Sequence, residues 1–138
     1  MQLSKILSLF TLATAASATT VSYDTGYDDP NRSLTVVACS DGANGLITKY
    51  GWNFQSQIKN FPYVGGVEQV SGWNSANCGT CWSVTYKGKT INILAIDHAA
   101  AGINMSKKAM NDLTGGNAEQ FGRVDAQVQQ VALSACGL

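Results

Sequence analysis

Apolar and polar positions alternate most clearly from Cys81 onward. Val84 and Tyr86 interleave with Ser83 and Thr85, and Lys87-Gly88-Lys89 reads as a turn. Ile91-Asn92-Ile93-Leu94-Ala95-Ile96 then returns as a nearly unbroken apolar run that ends at Asp97. The pattern predicts a hairpin over 81–97, joined by a three-residue loop containing Gly. A return strand that is apolar on both faces is expected at the centre of a sheet. A last strand is predicted over 123–133, with Val124, Ala126 and Val128 on one face and Arg123, Asp125, Gln127 and Gln129 on the other. Its phase shifts at Gln129-Gln130, which predicts a bulge or bend. Further strand candidates lie at 34–39 and 67–70. Ser106 as cap, Ala109, Met110 and Leu113 at helical spacing, and Gly115-Gly116 as a stop predict one helix. A second, short helix is expected near 54–59. Short strands with few helices predict a mainly β fold, barrel-like, with short helices packed outside.

The N-terminal residues read as an address. Lys5 precedes an apolar run over 6–12, and Ala16-Ser17-Ala18 fits the small-x-small pattern of a signal-peptidase site. The run is far shorter than the roughly 20 residues that span a bilayer. Residues 1–18 are therefore expected to be a secretory signal peptide, and 19–138 one secreted domain. Nine Lys and Arg balance nine Asp and Glu, and loss of Lys5 leaves the remainder slightly acidic. That balance argues against nucleic acid as a partner, which needs clustered basic residues. Lys107-Lys108, the only adjacent basic pair, reads as a solvated helix face. No basic amphipathic helix points to a membrane.

All four cysteines, Cys39, Cys78, Cys81 and Cys136, lie beyond the predicted leader. In an oxidising compartment an even count implies two disulfides, and three pairings are open. A Cys78–Cys81 bridge would close a very short loop. The preferred arrangement sends Cys78 and Cys81 one each to Cys39 and Cys136. A thioredoxin-type role for Cys78-Gly79-Thr80-Cys81 needs a helix after the motif, whereas Trp82-Ser83-Val84-Thr85-Tyr86 reads as a strand. No second C-x-x-C completes a zinc site, and no cofactor is implied.

Asp97 stands out as a carboxylate ending an apolar strand, next to His98, the one histidine. Two roles are open for it: taking up free N–H groups in the turn after the strand, or serving a functional site. Glycoside hydrolysis needs two carboxyl groups roughly 5–9.5 Å apart. None of Asp24, Asp28, Asp29, Asp41, Glu68, Asp112, Glu119 or Asp125 ends a comparable apolar strand. No G-x-S-x-G elbow or P-loop is present. The sequence is instead rich in groups that recognise sugars. Tyr50, Trp52, Tyr63, Trp73 and Trp82 supply stacking surfaces, and Asn53, Asn74, Asn77 and Asn104 supply paired donors and acceptors. Each aromatic residue taken alone reads first as core, Trp82 above all. Two sequons occur, Asn31-Arg32-Ser33 and Asn104-Met105-Ser106, of which Asn31 is the candidate glycan acceptor.

Seven stretches together resemble one family. They are Val21-Ser22-Tyr23-Asp24, Cys39-Ser40-Asp41-Gly42, Phe61-Pro62-Tyr63-Val64-Gly65-Gly66, Ser71-Gly72-Trp73-Asn74-Ser75, Cys78-Gly79-Thr80-Cys81-Trp82, Ala95-Ile96-Asp97-His98 and Gly122-Arg123-Val124-Asp125. In this order, with all four cysteines, they resemble the cerato-platanin family of small proteins secreted by fungi. The resemblance implies a six-stranded double-psi β-barrel with bridges Cys39–Cys78 and Cys81–Cys136. It implies a non-enzymatic protein, partly wall-associated, that binds chitin or N-acetylglucosamine oligomers; the alternatives are a weak β-glucanase of the related barrel class and a surface-active or protein-binding secreted effector. Expansin-like loosening of cellulosic material and elicitation of plant defence, through a plant surface receptor, are further implications. A monomer or weak self-association is expected. The expected sugar-binding residues are Asp97, Asn104, His98, Tyr50, Trp73 and Asn74, with Asp97 and Asn104 in a shallow groove. Two positions depart from the family's usual pattern: Ala100 replaces a glycine and Ile103 an aromatic residue.

Overall fold

The computed structural model describes residues 16–138, and in it six strands close into a barrel. The strands are β1 (Ser17–Tyr23), β2 (Val64–Val67), β3 (Cys81–Tyr86), β4 (Lys89–His98), β5 (Ile103–Met105) and β6 (Arg123–Val131). Around the barrel they run β1-β5-β2-β4-β3-β6, and β6 closes antiparallel onto β1. The β1–β5 and β2–β4 pairs are parallel and the others antiparallel. Closure removes the exposed edges that an open sheet of this size would present. The expected leader falls mostly outside the described residues; its last two, Ser17 and Ala18, open β1 opposite Val128 and Gln127.

The predicted hairpin is β3 and β4. Its loop is two residues long rather than three, because Lys87 and Gly88 both take positive φ (46° and 82°) while Lys89 already pairs with Tyr86. Positive φ at both loop positions matches the right-handed twist of the flanking strands. As its pattern predicts, β4 is central, lying between β2 and β3 with Ile93, Leu94, Ala95 and Ile96 fully buried.

Other elements differ from the pattern. β6 passes through Gln129-Gln130 with no break in its register to β3. What changes there is the partner: residues 123–128 pair with β1 and 127–131 with β3. The irregularity sits between Gly65 and Gly66, which pair with Ala95 and Asp97 and so skip Ile96. Residues 34–39 form no strand. Ser33 caps a short 3-10 turn, Leu34–Val36, and the Cys39 amide donates to the Ile96 carbonyl. The strand sought at 67–70 lies upstream, as β2, and the short helix near 54–59 is one 3-10 turn, Gln55–Gln57.

The predicted helix spans Lys107–Thr114. Ser106 Oγ caps it by accepting the Ala109 amide at 3.1 Å, and Gly115 ends it in the left-handed region. Asp28 adds a second cap from the other end of the barrel chain, accepting the Lys107 and Lys108 amides. A carboxylate at a helix N-terminus satisfies free N–H groups and opposes the helix dipole. Lys107 and Lys108 are paired rather than merely solvated, to Glu119 and Asp112. The disulfides are Cys39–Cys78 and Cys81–Cys136, with all four half-cystines buried. Both bridges converge on the turn 78–81.

Candidate functional site

One row of side chains crosses five strands at the end of the barrel where β4 terminates. Arg123 on β6 pairs with Ser22 on β1, Ser22 with Asn104 on β5, Asn104 with Gly66 on β2, and Gly66 with Asp97 on β4. Directly opposed residues on neighbouring strands project from the same face of the sheet. The closed barrel thus brings together residues that the sequence separates by a hundred positions.

Asp97 is the most heavily engaged member. Its Oδ2 accepts the Tyr27 hydroxyl at 2.8 Å, and its Oδ1 accepts the Ala38 and His98 amides, each at 2.9 Å. Of its two open roles, the structure shows the first, uptake of free N–H groups, with the Tyr27 hydroxyl added. Gly66 makes this geometry accessible. A β-carbon there would lie 2.7 Å from the His98 carbonyl oxygen and 3.2 Å from the Tyr27 hydroxyl. Burial, and then the neighbouring Asp97 charge, push the Tyr27 phenol well above its ordinary pKa, so it remains a donor.

Beyond Asp97 the row opens into a groove of about 330 Å³. Thr20, Ser22, His98, Asn104 and Arg123 line it, along with the alanines 99–101 of the loop between β4 and β5. Ser22 Oγ donates to Asn104 Oδ1 at 3.1 Å, and the His98 Nδ1–H donates to the Val70 carbonyl at 2.6 Å. The lining contains neither a carboxylate nor a Phe, Tyr or Trp ring. Gly102 fixes the end of the 99–102 loop: its amide donates to Glu68 Oε1 at 2.7 Å, and a β-carbon there would stand 1.8 Å from the Thr20 carbonyl oxygen. Ala100 has no need of the glycine it replaces, because its φ is not positive. Ile103 is buried, so it is core rather than a lost stacking surface.

The predicted sugar-binding residues divide into three places. Asn104 and His98 line the groove, and Asp97 closes one end of the row behind Tyr27. Trp73 and Asn74 form a separate platform. The Trp73 ring is 62% exposed, its Nε1–H donates to Asp41 Oδ1 at 2.6 Å, and it lies over Gly42. Asn74 takes φ 61° while its Oδ1 accepts the Asn44 amide. The indole bond holds the Asp41 carboxyl below its ordinary pKa. Tyr50 lies elsewhere again, stacked on Trp52 with ring centroids 4.2 Å apart. Asn31 is exposed, as a glycan acceptor must be, whereas Asn104 of the second sequon is tied to Ser22.

Sequence reasoning missed Thr20, Ser22 and Arg123 as groove residues. Ser22 and Arg123 stand inside two of the seven family-like stretches, which was the available signal. At the opposite end of β4, Asn60, Tyr63, Lys89, Asn92 and Asp112 surround a shallower concavity of about 260 Å³. There the Tyr63 hydroxyl donates to Asp112, which pushes Tyr63 up to about 12 and Asp112 down. A third concavity, about 380 Å³, includes Ser17 and Ala18 of the expected leader in its wall. Among the described residues no cluster of three or more His, Cys, Asp or Glu side chains is placed to hold a metal ion.

A disulfide-stapled, closed six-stranded barrel bearing a polar, carboxylate-free groove is the class that the fold and site define. Over residues 19–138 the chain matches the family model described as Cerato-platanin. It is 54% identical to the heat-stable 19 kDa antigen of Coccidioides immitis over 130 residues, covering 94% of this chain and 88% of that one. Its fold superposes on the crystal structure of cerato-platanin 1 from M. perniciosa with a TM-score of 0.82 at 44% identity, covering 86% of this chain and 99% of that one. The solution structure of the fungal elicitor Cerato-Platanin gives a TM-score of 0.76 at 39% identity, covering 85% and 95%. The chain belongs to the cerato-platanin family.

Proposed function

We propose that this chain is a secreted, non-catalytic binder of cell-wall polysaccharide that acts as an elicitor. One observation carries the reading: the groove offers hydroxyl, amide, imidazole and guanidinium groups to a saccharide and no carboxylate to attack it. Retaining and inverting glycosidases both use a pair of carboxyl groups flanking the scissile bond. Asp97 is the acid closest to the groove in the cross-strand row, and both its oxygens already accept internal donors. A carboxylate so engaged holds the barrel rim together rather than transferring protons. The polar lining suits the hydroxyl and N-acetyl groups of N-acetylglucosamine oligomers, and the exposed Trp73 ring adds a flat face of the kind that stacks on sugar C–H surfaces. Likeness to the fungal elicitor Cerato-Platanin supports the second half of the reading.

Titration of the folded protein with N-acetylglucosamine oligomers, followed by amide NMR, is the direct test. Shifts are expected at residues 98–104, and no reducing sugar should be released from chitin or cellulose. Hydrolysis abolished by Asp97→Asn would instead make the protein an enzyme. Asn104→Ala should weaken both oligomer binding and defence induction; defence induction left intact alongside lost binding would separate elicitation from sugar recognition.

A further inference from the structure

We infer that the groove prefers acidic saccharides, with Arg123 receiving the carboxylate of a uronate unit; this rests on the groove being the polysaccharide site. The argument is one of hydrogen-bond polarity. Ser22 spends its proton on Asn104 Oδ1, so Asn104 is left presenting its two N–H donors. His98 donates its Nδ1 proton to the Val70 carbonyl, which leaves its Nε2 as the one acceptor among these groups. Arg123 is exposed, makes no ion pair among the described residues, and brings five further donors. Thr20 adds a hydroxyl without a partner, its oxygen buried in the groove wall. The free groups are therefore mostly donors, and a complementary ligand must be rich in acceptors.

A carboxylate meets that need best. The planar guanidinium fork matches its two oxygens, and charge assistance roughly doubles the strength of each hydrogen bond. The register places Arg123 beside Ser22 and Asn104, so a pyranose carrying a carboxylate on the Arg123 side meets hydroxyl and amide partners next along the row. The groove lining has no Phe, Tyr or Trp ring, so a neutral sugar finds no broad stacking face there. The acids nearby do not cancel the cation. Asp97 is held by Tyr27, Ala38 and His98, and Glu68 accepts the Gly102 amide. Asp125 shares the face of Arg123 one pleat along, opposite Thr20, but makes no ion pair with it and lies outside the lining.

The test compares oligogalacturonate, its methyl ester and N-acetylglucosamine oligomers at low ionic strength, by calorimetry and amide NMR. Oligogalacturonate should bind about 2- to 5-fold tighter than its ester, an advantage that fades with salt, as for one exposed ion pair. Arg123→Gln should erase that advantage by weakening the acid more than the ester, and Asp125→Asn should enlarge it. Equal affinity for acid and ester, or a preference that survives Arg123→Gln, overturns the inference. Shifts at 98–104 with N-acetylglucosamine oligomers and none with oligogalacturonate also overturn it, yet leave polysaccharide binding standing. Acetate producing the same shifts reduces the site to a bare anion site and overturns the saccharide assignment. Silence from all three saccharides removes both readings together.

Discussion

The three donors on Asp97 tie the segment after β1, the segment before Cys39 and the end of β4 to one carboxylate. Hydrogen bonds to a charged acceptor contribute more than neutral ones, about 1.5–3 kcal/mol each. Tyr27→Phe removes one of them without creating a cavity, and should lower stability by about that amount in denaturant melts. A change below about 0.5 kcal/mol would show that the hydroxyl is not donating as placed. A second single-residue prediction concerns Asp41. Its folded pKa lies below the unfolded one because of the Trp73 indole, so the bond stabilises the fold above the ordinary carboxylate range. That contribution disappears as the pH falls through the lowered value. Trp73→Phe should move the Asp41 carboxyl carbon titration upward toward the ordinary pKa; an unmoved titration would mean that the indole is not its partner.

Among the elements, those with a strong local signal are the ones that sequence reasoning located. The β3–β4 hairpin and the helix Lys107–Thr114 carry their own periodicity, turn and cap. β1 and β5 were not legible for a physical reason. β1 is rich in Ser and Thr and fully buries only Val21, while β5 is three residues long. Each is a strand because a neighbour demands it, and no single segment states that demand. The groove inherits this opacity, since its row joins β6, β1 and β5. Asp97 was conspicuous as an acid at the end of an apolar run, but its Tyr27 partner comes from a stretch where the pattern predicts no strand or helix. The bulge displaced from Gln129-Gln130 to Gly65-Gly66 follows the same rule: Gly65 tolerates no side chain, since a β-carbon there would stand 2.3 Å from the Asn104 carbonyl oxygen. Gly102 is still more constrained, with φ +56° as well as the Thr20 clash. Gly102→Ala should cost at least about 2 kcal/mol of stability and shift the groove amides even where the fold survives, because strain and overlap coincide there. A neutral substitution would contradict the close packing of the 99–102 loop on β1.

For the molecule as a whole, the bridges join residues 39 and 55 positions apart. On the loop-entropy model each contributes about 4 kcal/mol, mostly by restricting the unfolded chain. Replacing Cys81 and Cys136 together by Ala should therefore lower stability by about 2–5 kcal/mol, read as an earlier denaturation midpoint. An unchanged midpoint would place the stability in the barrel alone. The order of strands has a consequence for the newborn chain. β1 leaves the ribosome before the other five strands, yet it is sealed on one side by β6, the last of the six to emerge. The β3–β4 hairpin can form while synthesis continues, but the seam and the Cys81–Cys136 link must wait for β6 and Cys136. Until then the nascent polypeptide presents unpaired strand margins, the kind of surface that chaperones shield. Arg123 and Ser22 become neighbours only when that seam closes, so the groove cannot be complete before β6 is in place.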